Sequence, residues 1–188
     1  LKLFAPANQT MSMQFELPVN GLKLTFAPLD FIQVNASMND LMIKQALALL
    51  ELKPEDRVLD LFCGLGNFTL PIAATAEFVY AVEGNALMIE RAKANASAQG
   101  VDNVEFQVAD LQTTEAVSQF KNMIFNKVLI DPARDGAESA VKAIAELGIK
   151  HIVYVSCHPA TLARDAAILR THYGYQMACG GVMDMFPH

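Results

Sequence analysis

The chain has 188 residues, 53% of them apolar and 18% charged, which is enough to bury the core of one ordinary α/β domain and excludes a disordered linker. Its net charge of −6 excludes the basic footprint of a domain that holds nucleic acid by phosphate contacts alone. Three cysteines, Cys63, Cys157 and Cys179, are odd in number and far apart, so we expect a reducing, cytoplasmic setting with neither a disulfide framework nor a metal site. No apolar run is long enough to span a bilayer; the richest, Ile72 to Val82, is interrupted by Glu77. The opening LKLFAPANQT is not patterned as a signal peptide, and a start without Met leads us to expect a segment cut from a longer protein.

In chain order, residues 1–30 differ from the rest. Met11, Met13, Phe15 and Leu17 alternate with polar residues, Pro18 to Gly21 mark a turn, and LKLTFAP alternates again. This predicts a β-hairpin, the tail of a preceding domain, ahead of a main domain over residues 31–188. A helix is predicted over Met38 to Leu52, with its N-cap at Ser37 or Asn39 and its end at Pro54. Strands follow at Arg57–Phe62, Phe78–Glu83, Asn103–Asp110, Asn126–Pro132 and His151–Cys157, with a sixth from Tyr175. Between and after them helices are expected at Ala86–Gln99, Ala137–Leu147 and Ala160–Arg170. Continuous apolar strands alternating with helices imply a doubly wound, mostly parallel sheet, whose ligands bind outside the carboxyl ends of the strands. The chemically unusual residues stand at those ends.

After the first such strand, Asp60-Leu61-Phe62-Cys63-Gly64-Leu65-Gly66-Asn67 sets two glycines in a turn. Glycine there admits positive φ and lets a cofactor approach the backbone. Glu83 ends the next strand, where a carboxylate can accept both hydroxyls of a ribose. A dinucleotide fingerprint needs a third glycine, and Thr69 stands in that place, which weakens a nicotinamide reading. S-adenosylmethionine needs the turn, the ribose acid and an adenine contact, for which Asp110 is placed at the third strand's end. The plainer reading of Gly64 and Gly66, a tight turn only, leaves Glu83 and Asp110 unexplained.

Asp131-Pro132-Ala133-Arg134 follows the fourth strand and could be a simple turn; alternatively Asp131 faces the donor's reactive end or a polar substrate edge, with Arg134 fixing the loop or an anion. Cys157 ends the fifth strand just before a helix, where a thiolate is favoured by unpaired N–H groups. Cys63 is expected to pack beneath the glycine turn, and Cys179 has no evident partner. A thiolate beside a methyl donor suggests methylation of uracil C5, since a thiolate added at C6 makes C5 nucleophilic and a base then removes the C5 proton. The target base has to be flipped out of its stack to lie between them.

At FIQVN (Phe31–Asn35), DLFCGLGNFTLP (Asp60–Pro71), VEG (Val82–Gly84), DPARDGA (Asp131–Ala137), VSCHPATLARD (Val155–Asp165) and DMFPH (Asp184–His188), the chain resembles the bacterial RNA uracil-C5 methyltransferases. It is most similar to the 23S rRNA branch that carries an iron–sulfur cluster, with the tRNA branch as the alternative. The resemblance implies a Rossmann-like methyltransferase fold with its last strand missing. It implies that Gln33, Phe62, Asn67, Glu83, Asp110 and Asp131 line the S-adenosylmethionine site with Gly64, and that Cys157 is the nucleophile. His158 stands where this branch more often has Asn. By the same resemblance, an RNA-binding barrel and four cluster cysteines precede these residues, and a proton-abstracting glutamate follows them. The expected activity is methyl transfer to a uridine of 23S rRNA, with catalysis impaired in this segment and no membrane or obligate protein partner. Three other readings stay open: an amino-methylating enzyme, a nicotinamide-dependent oxidoreductase and a non-catalytic S-adenosylmethionine-binding module.

Overall fold

The computed structural model describes residues 13–17, 21–33, 35–113, 116, 120 and 122–185. Its elements are β1 (Met13–Leu17), β2 (Leu22–Phe26), α1 (Ala36–Leu50), β3 (Arg57–Leu61), α2 (Thr69–Ala73), β4 (Phe78–Glu83), α3 (Ala86–Ala98), β5 (Val104–Val108), β6 (Lys127–Ile130), α4 (Glu138–Glu146), β7 (His151–Tyr154) and α5 (Pro159–Tyr173). Five strands form a parallel sheet in the order β5-β4-β3-β6-β7, as the alternation of helix and strand predicts. The order reverses beside β3: the chain winds outward through β4 and β5, then returns to β6 on the other side. That reversal opens a crevice at the carboxyl ends of β3 and β6.

Central strands carry apolar residues on both faces because helices cover both. Val58, Val79, Ala81, Phe106, Leu129 and Val153 point to one face, under Ile43 of α1, Leu70 of α2, Ile89 of α3 and Leu24 of β2. Leu59, Leu61, Tyr80, Val82, Val128 and Ile130 point to the other, under Val141 and Ile144 of α4 and Leu169 of α5. At the amino ends of the strands, buried Lys127 donates to the carbonyls of Leu50, at 2.7 Å, and Glu51, so it satisfies orphan groups at the end of α1. The same ammonium pairs with Asp56 at 2.8 Å.

The predicted hairpin is present as β1 and β2, paired Met13 with Phe26 through Leu17 with Leu22; Met11 and Ser12 fall outside the described residues. Leu17 and Leu24 are fully buried in the first core cluster. Two amides of α3 dock the hairpin. Asn95 accepts from Thr25 N at 2.9 Å and donates to Thr25 O at 3.2 Å; Gln99 does the same for Lys23 at 2.7 and 3.0 Å. Four helical residues rise about 6 Å and two strand residues about 6.7 Å, so the two spacings match.

Two sequence expectations are corrected. The N-cap of α1 is Asn35, whose extended backbone lets Oδ1 accept from Met38 N at 3.1 Å, and not Ser37 or Asn39. Asn39 is buried and engaged elsewhere. The sixth strand expected from Tyr175 does not form among the described residues. Gly174 ends α5 with φ 75, Tyr175 is tied to Leu169 O and Ile149 O, and residues 176–184 then run exposed with Gly180 and Gly181 among them. A strand needs a neighbour, and β7 pairs only with β6 among these residues. Among them, too, no helix is long and apolar enough to cross a membrane.

Candidate active site at the strand carboxyl ends

The registers place Leu61 beside Val82 and Ile130, Glu83 beside Val108, and Ile130 beside Tyr154. The next residues along each strand therefore form one row: Phe62, Glu83, Asp131 and Val155 lie side by side across the sheet edge. Asp131 N donates to Leu61 O at 3.2 Å and Val155 N to Ile130 O at 2.8 Å, so the row is still tied to the sheet.

Behind β3 the backbone turns sharply. Phe62 has φ 65, a left-handed conformation that costs a side-chain-bearing residue on the order of 1–2 kcal/mol. Gly64 and Gly66 follow at φ 56 and φ 92. The turn is held by Cys63 N donating to Val82 O at 3.1 Å and Gly66 N to Cys63 O at 2.9 Å. Gly64 N donates to Glu83 Oε2 at 3.2 Å, while Glu83 Oε1 accepts from Asn85 N at 2.9 Å. The glycine turn and the acid at the next strand's end are thus joined directly.

Beneath the turn lies Asp60, fully buried and not singled out by the sequence reading, although an acid inside the apolar run RVLDLF is a visible signal. Thr69 Oγ1 donates to its Oδ2 at 2.5 Å, and Oδ1 has no partner. Burial pushes its carboxyl up to about 7, with the charges of Asp131 and Glu83 adding to that and the Thr69 bond opposing it. Burial likewise pushes Asp131 up to about 7. Thr69, where a dinucleotide site has glycine, is therefore the hydroxyl that holds Asp60. Three carboxyls, Asp60, Glu83 and Asp131, converge in the crevice where the strand order reverses.

The remaining predicted residues differ in their surroundings. Asn67 spends both ends of its amide on Asn39 of α1 in a reciprocal pair at 2.9 Å, which fixes the glycine turn to the helix. Asp110 is exposed beyond β5, where its Oδ1 accepts from Gln112 N at 3.0 Å. Gln33 is half-buried in the connection between β2 and α1. That connection is held by Asp30, which accepts from Ala27 N at 2.7 Å and pairs with Arg91 of α3 at 2.5 Å.

Cys157 is exposed, two residues past the end of the row. It precedes the N-cap of α5: His158 Nδ1 accepts from Thr161 N at 3.4 Å, and Pro159 opens the helix. Ser156 Oγ accepts from His158 N and donates to His158 O, both at 3.1 Å, which makes a tight turn around the cysteine. By contrast Cys63 is buried, as expected, and burial with the charges of Asp60 and Glu83 pushes its thiol well up. Of the two thiols at this edge, Cys63 is buried and Cys157 is exposed. Arg134, at the loop after β6, offers its carbonyl to Thr161 Oγ1 at 3.1 Å.

Known proteins are similar to this chain in sequence and in fold. The profile of the family described as tRNA (Uracil-5-)-methyltransferase matches residues 8–188. The 23S rRNA (uracil(1939)-C(5))-methyltransferase RlmD of Xanthomonas euvesicatoria is 51% identical over 180 residues, 96% of this chain and 40% of that protein. That of Alkalilimnicola ehrlichii is 52% identical over 176 residues, 94% of this chain and 40% of that protein. The crystal structure of Pyrococcus abyssi tRNA (uracil-54, C5)-methyltransferase in complex with S-adenosyl-L-homocysteine superposes with a TM-score of 0.71 at 28% identity, over 84% of this chain and 37% of that one. The chain spans about 40% of the length of the curated relatives it matches. Fold, profile and sequence identity agree: this chain belongs to the tRNA (uracil-5-)-methyltransferase family.

Proposed function

We propose that this chain binds S-adenosylmethionine at the carboxyl ends of β3 to β6. In the intact gene product it directs methyl transfer to C5 of a uridine in 23S rRNA, with Cys157 as nucleophile. The observation that carries the reading is the convergence of Asp60, Glu83 and Asp131 behind a glycine turn. Such a crevice suits a ligand bearing a sulfonium and an ammonium and opposes the pyrophosphate of a dinucleotide. The residues fit the cofactor: Gly64 and Gly66 make the turn at positive φ, and Asp60 Oδ1 is a buried acceptor without a partner. Glu83 accepts the ribose hydroxyls on its free lone pairs, Asp110 the adenine amino group, and Asp131 lies toward the substrate edge. The family resemblance assigns Phe62 and Gln33 to the same site, and Asn67 keeps the glycine turn in place through Asn39.

When bound, the cofactor supplies an electrophilic methyl group. Cys157 acts on the substrate: its thiolate adds to C6 of a flipped-out uracil, and the electron pair of the C5–C6 bond moves to make C5 nucleophilic. Loss of the C5 proton to a base then expels the thiolate. The relatives near 50% identity favour 23S rRNA over tRNA as substrate.

RNA containing 5-fluorouridine tests this reading, because fluorine cannot leave as a proton and the adduct persists. The intact gene product with S-adenosylmethionine is expected to form a covalent complex with a 23S rRNA segment and not with tRNA. Cys157→Ala is expected to abolish the complex while leaving S-adenosylhomocysteine binding unchanged. An adduct that survives Cys157→Ala would falsify the role of this cysteine.

A further inference from the structure

Asp165, in the second turn of α5, is a fully buried carboxylate outside the crevice. It accepts from Ala137 N at 2.7 Å, from Tyr154 Oη at 2.7 Å and from Arg164 Nε at 2.8 Å. One side chain therefore ties together the loop after β6, the last residue of β7 and the helix that follows Cys157. Neighbours on the same face of α5 repeat the pattern. Thr161 Oγ1 donates to Arg134 O at 3.1 Å, and Arg164 Nη2 donates to Asp135 O at 2.9 Å. Gly136 is pressed against all three at φ 78, where an added Cβ would meet Arg164, Asp165 and Thr161 at 2.6, 2.8 and 2.9 Å. Burial, together with the Asp165 carboxylate, pushes the Tyr154 hydroxyl well above its ordinary range, so it remains a donor.

Three of these hydrogen bonds, from Ala137 N to Asp165, from Thr161 to Arg134 O and from Arg164 to Asp135 O, join the same two segments. One begins at Asp131 in the crevice; the other begins just after Cys157. A buried carboxylate with one partner removed is strongly unfavourable, whereas apolar packing could have joined a helix to a loop without it. We propose that Asp165 is a positioning residue that holds the Cys157 turn and the Asp131 loop as one rigid body, so that the thiolate meets the uracil edge in fixed register with the cofactor. This rests on the reading of Cys157 as nucleophile.

The test measures covalent trapping on 5-fluorouridine RNA by the intact gene product at saturating RNA and S-adenosylmethionine, beside calorimetric S-adenosylhomocysteine binding and thermal melting. Asp165→Asn keeps the shape and loses the charge; it is expected to slow trapping about 30-fold or more with cofactor Kd within about twofold. Tyr154→Phe removes one bond to the carboxylate and is expected to slow trapping about threefold to tenfold. Leu169→Ala, on the same helix but in the apolar core, serves as a destabilised control that lowers Tm without slowing trapping. Trapping by Asp165→Asn at the wild-type rate overturns the inference. So does equal slowing by Asp165→Asn and Leu169→Ala at matched Tm, or parallel loss of cofactor affinity. If Asp165→Asn does not fold, Tyr154→Phe decides by its rate. A wild-type protein that binds cofactor but traps no RNA overturns the underlying reading, and the inference with it.

Discussion

Glu83 serves the fold and the proposed ligand with the same carboxylate. Each oxygen already accepts one backbone N–H, from Gly64 and Asn85, and each has a second lone pair. Removing it both frees the glycine turn and deletes the proposed ribose acceptors. A charged hydrogen bond contributes about 1.5–3 kcal/mol, so Glu83→Ala is expected to weaken S-adenosylhomocysteine binding by roughly 10- to 150-fold in calorimetric titration. Glu83, Gly64, Asp131 and Cys157 were legible in the sequence because turn chemistry and strand ends mark them. Asp60 and Asp165 were not, for different reasons. Asp60 interrupts an apolar strand, but sequence alone does not say that Thr69 is its partner. Asp165 lies among Arg164 and alanines in a helix with no strong apolar stripe, so it reads as a solvated residue until tertiary structure buries it.

At the level of elements, strand and helix identities follow from pattern, and their ends follow from contacts the pattern does not contain. The strands at Asn103–Asp110 and Asn126–Pro132 shorten to Val104–Val108 and Lys127–Ile130, although Ala109 N still donates to Glu83 O and Asp131 N to Leu61 O beyond their ends. The short helix α2 follows the glycine turn with no periodic stretch of its own long enough to announce it. The loop after β6 depends on Gly136 more sharply than on any of the other turns. Gly136→Ala adds a left-handed backbone penalty to overpacking against α5, and is expected to destabilise the chain by about 2–4 kcal/mol in urea unfolding. At the opposite edge, Lys127→Ala leaves Asp56 buried without its ammonium and uncaps α1. A loss of about 3–5 kcal/mol is expected by the same measurement.

For the whole molecule, the two edges of the sheet divide the work: Lys127 and Asp56 close the amino ends, while carboxyls gather at the carboxyl ends. That gathering has a pH signature. The folded carboxyls of Asp60 and Asp131 titrate at about 7, above their unfolded value near 3.9, so between those limits the folded chain holds more protons. Stability is therefore expected to fall as pH rises from about 5 to about 7, by up to ~1.4 kcal/mol per unit for each group, and to level off above. Urea midpoints across that range check the sign. Ligand affinity is expected to move the opposite way: a sulfonium favours the ionised carboxyls, so S-adenosylmethionine should bind more tightly at pH 8 than at pH 6. S-adenosylhomocysteine, without the sulfonium, should respond less in the same titrations.

The pairing of Asn95 and Gln99 with the backbone of β2 has a consequence for solubility. Their amides occupy the N–H and C=O groups of Lys23 and Thr25, which would otherwise form a bare sheet edge open to another chain. With both changed to alanine, that edge becomes a template for strand addition. The double variant is expected to retain its main sheet yet form concentration-dependent oligomers, visible as rising light scattering at temperatures where the parent protein stays monodisperse.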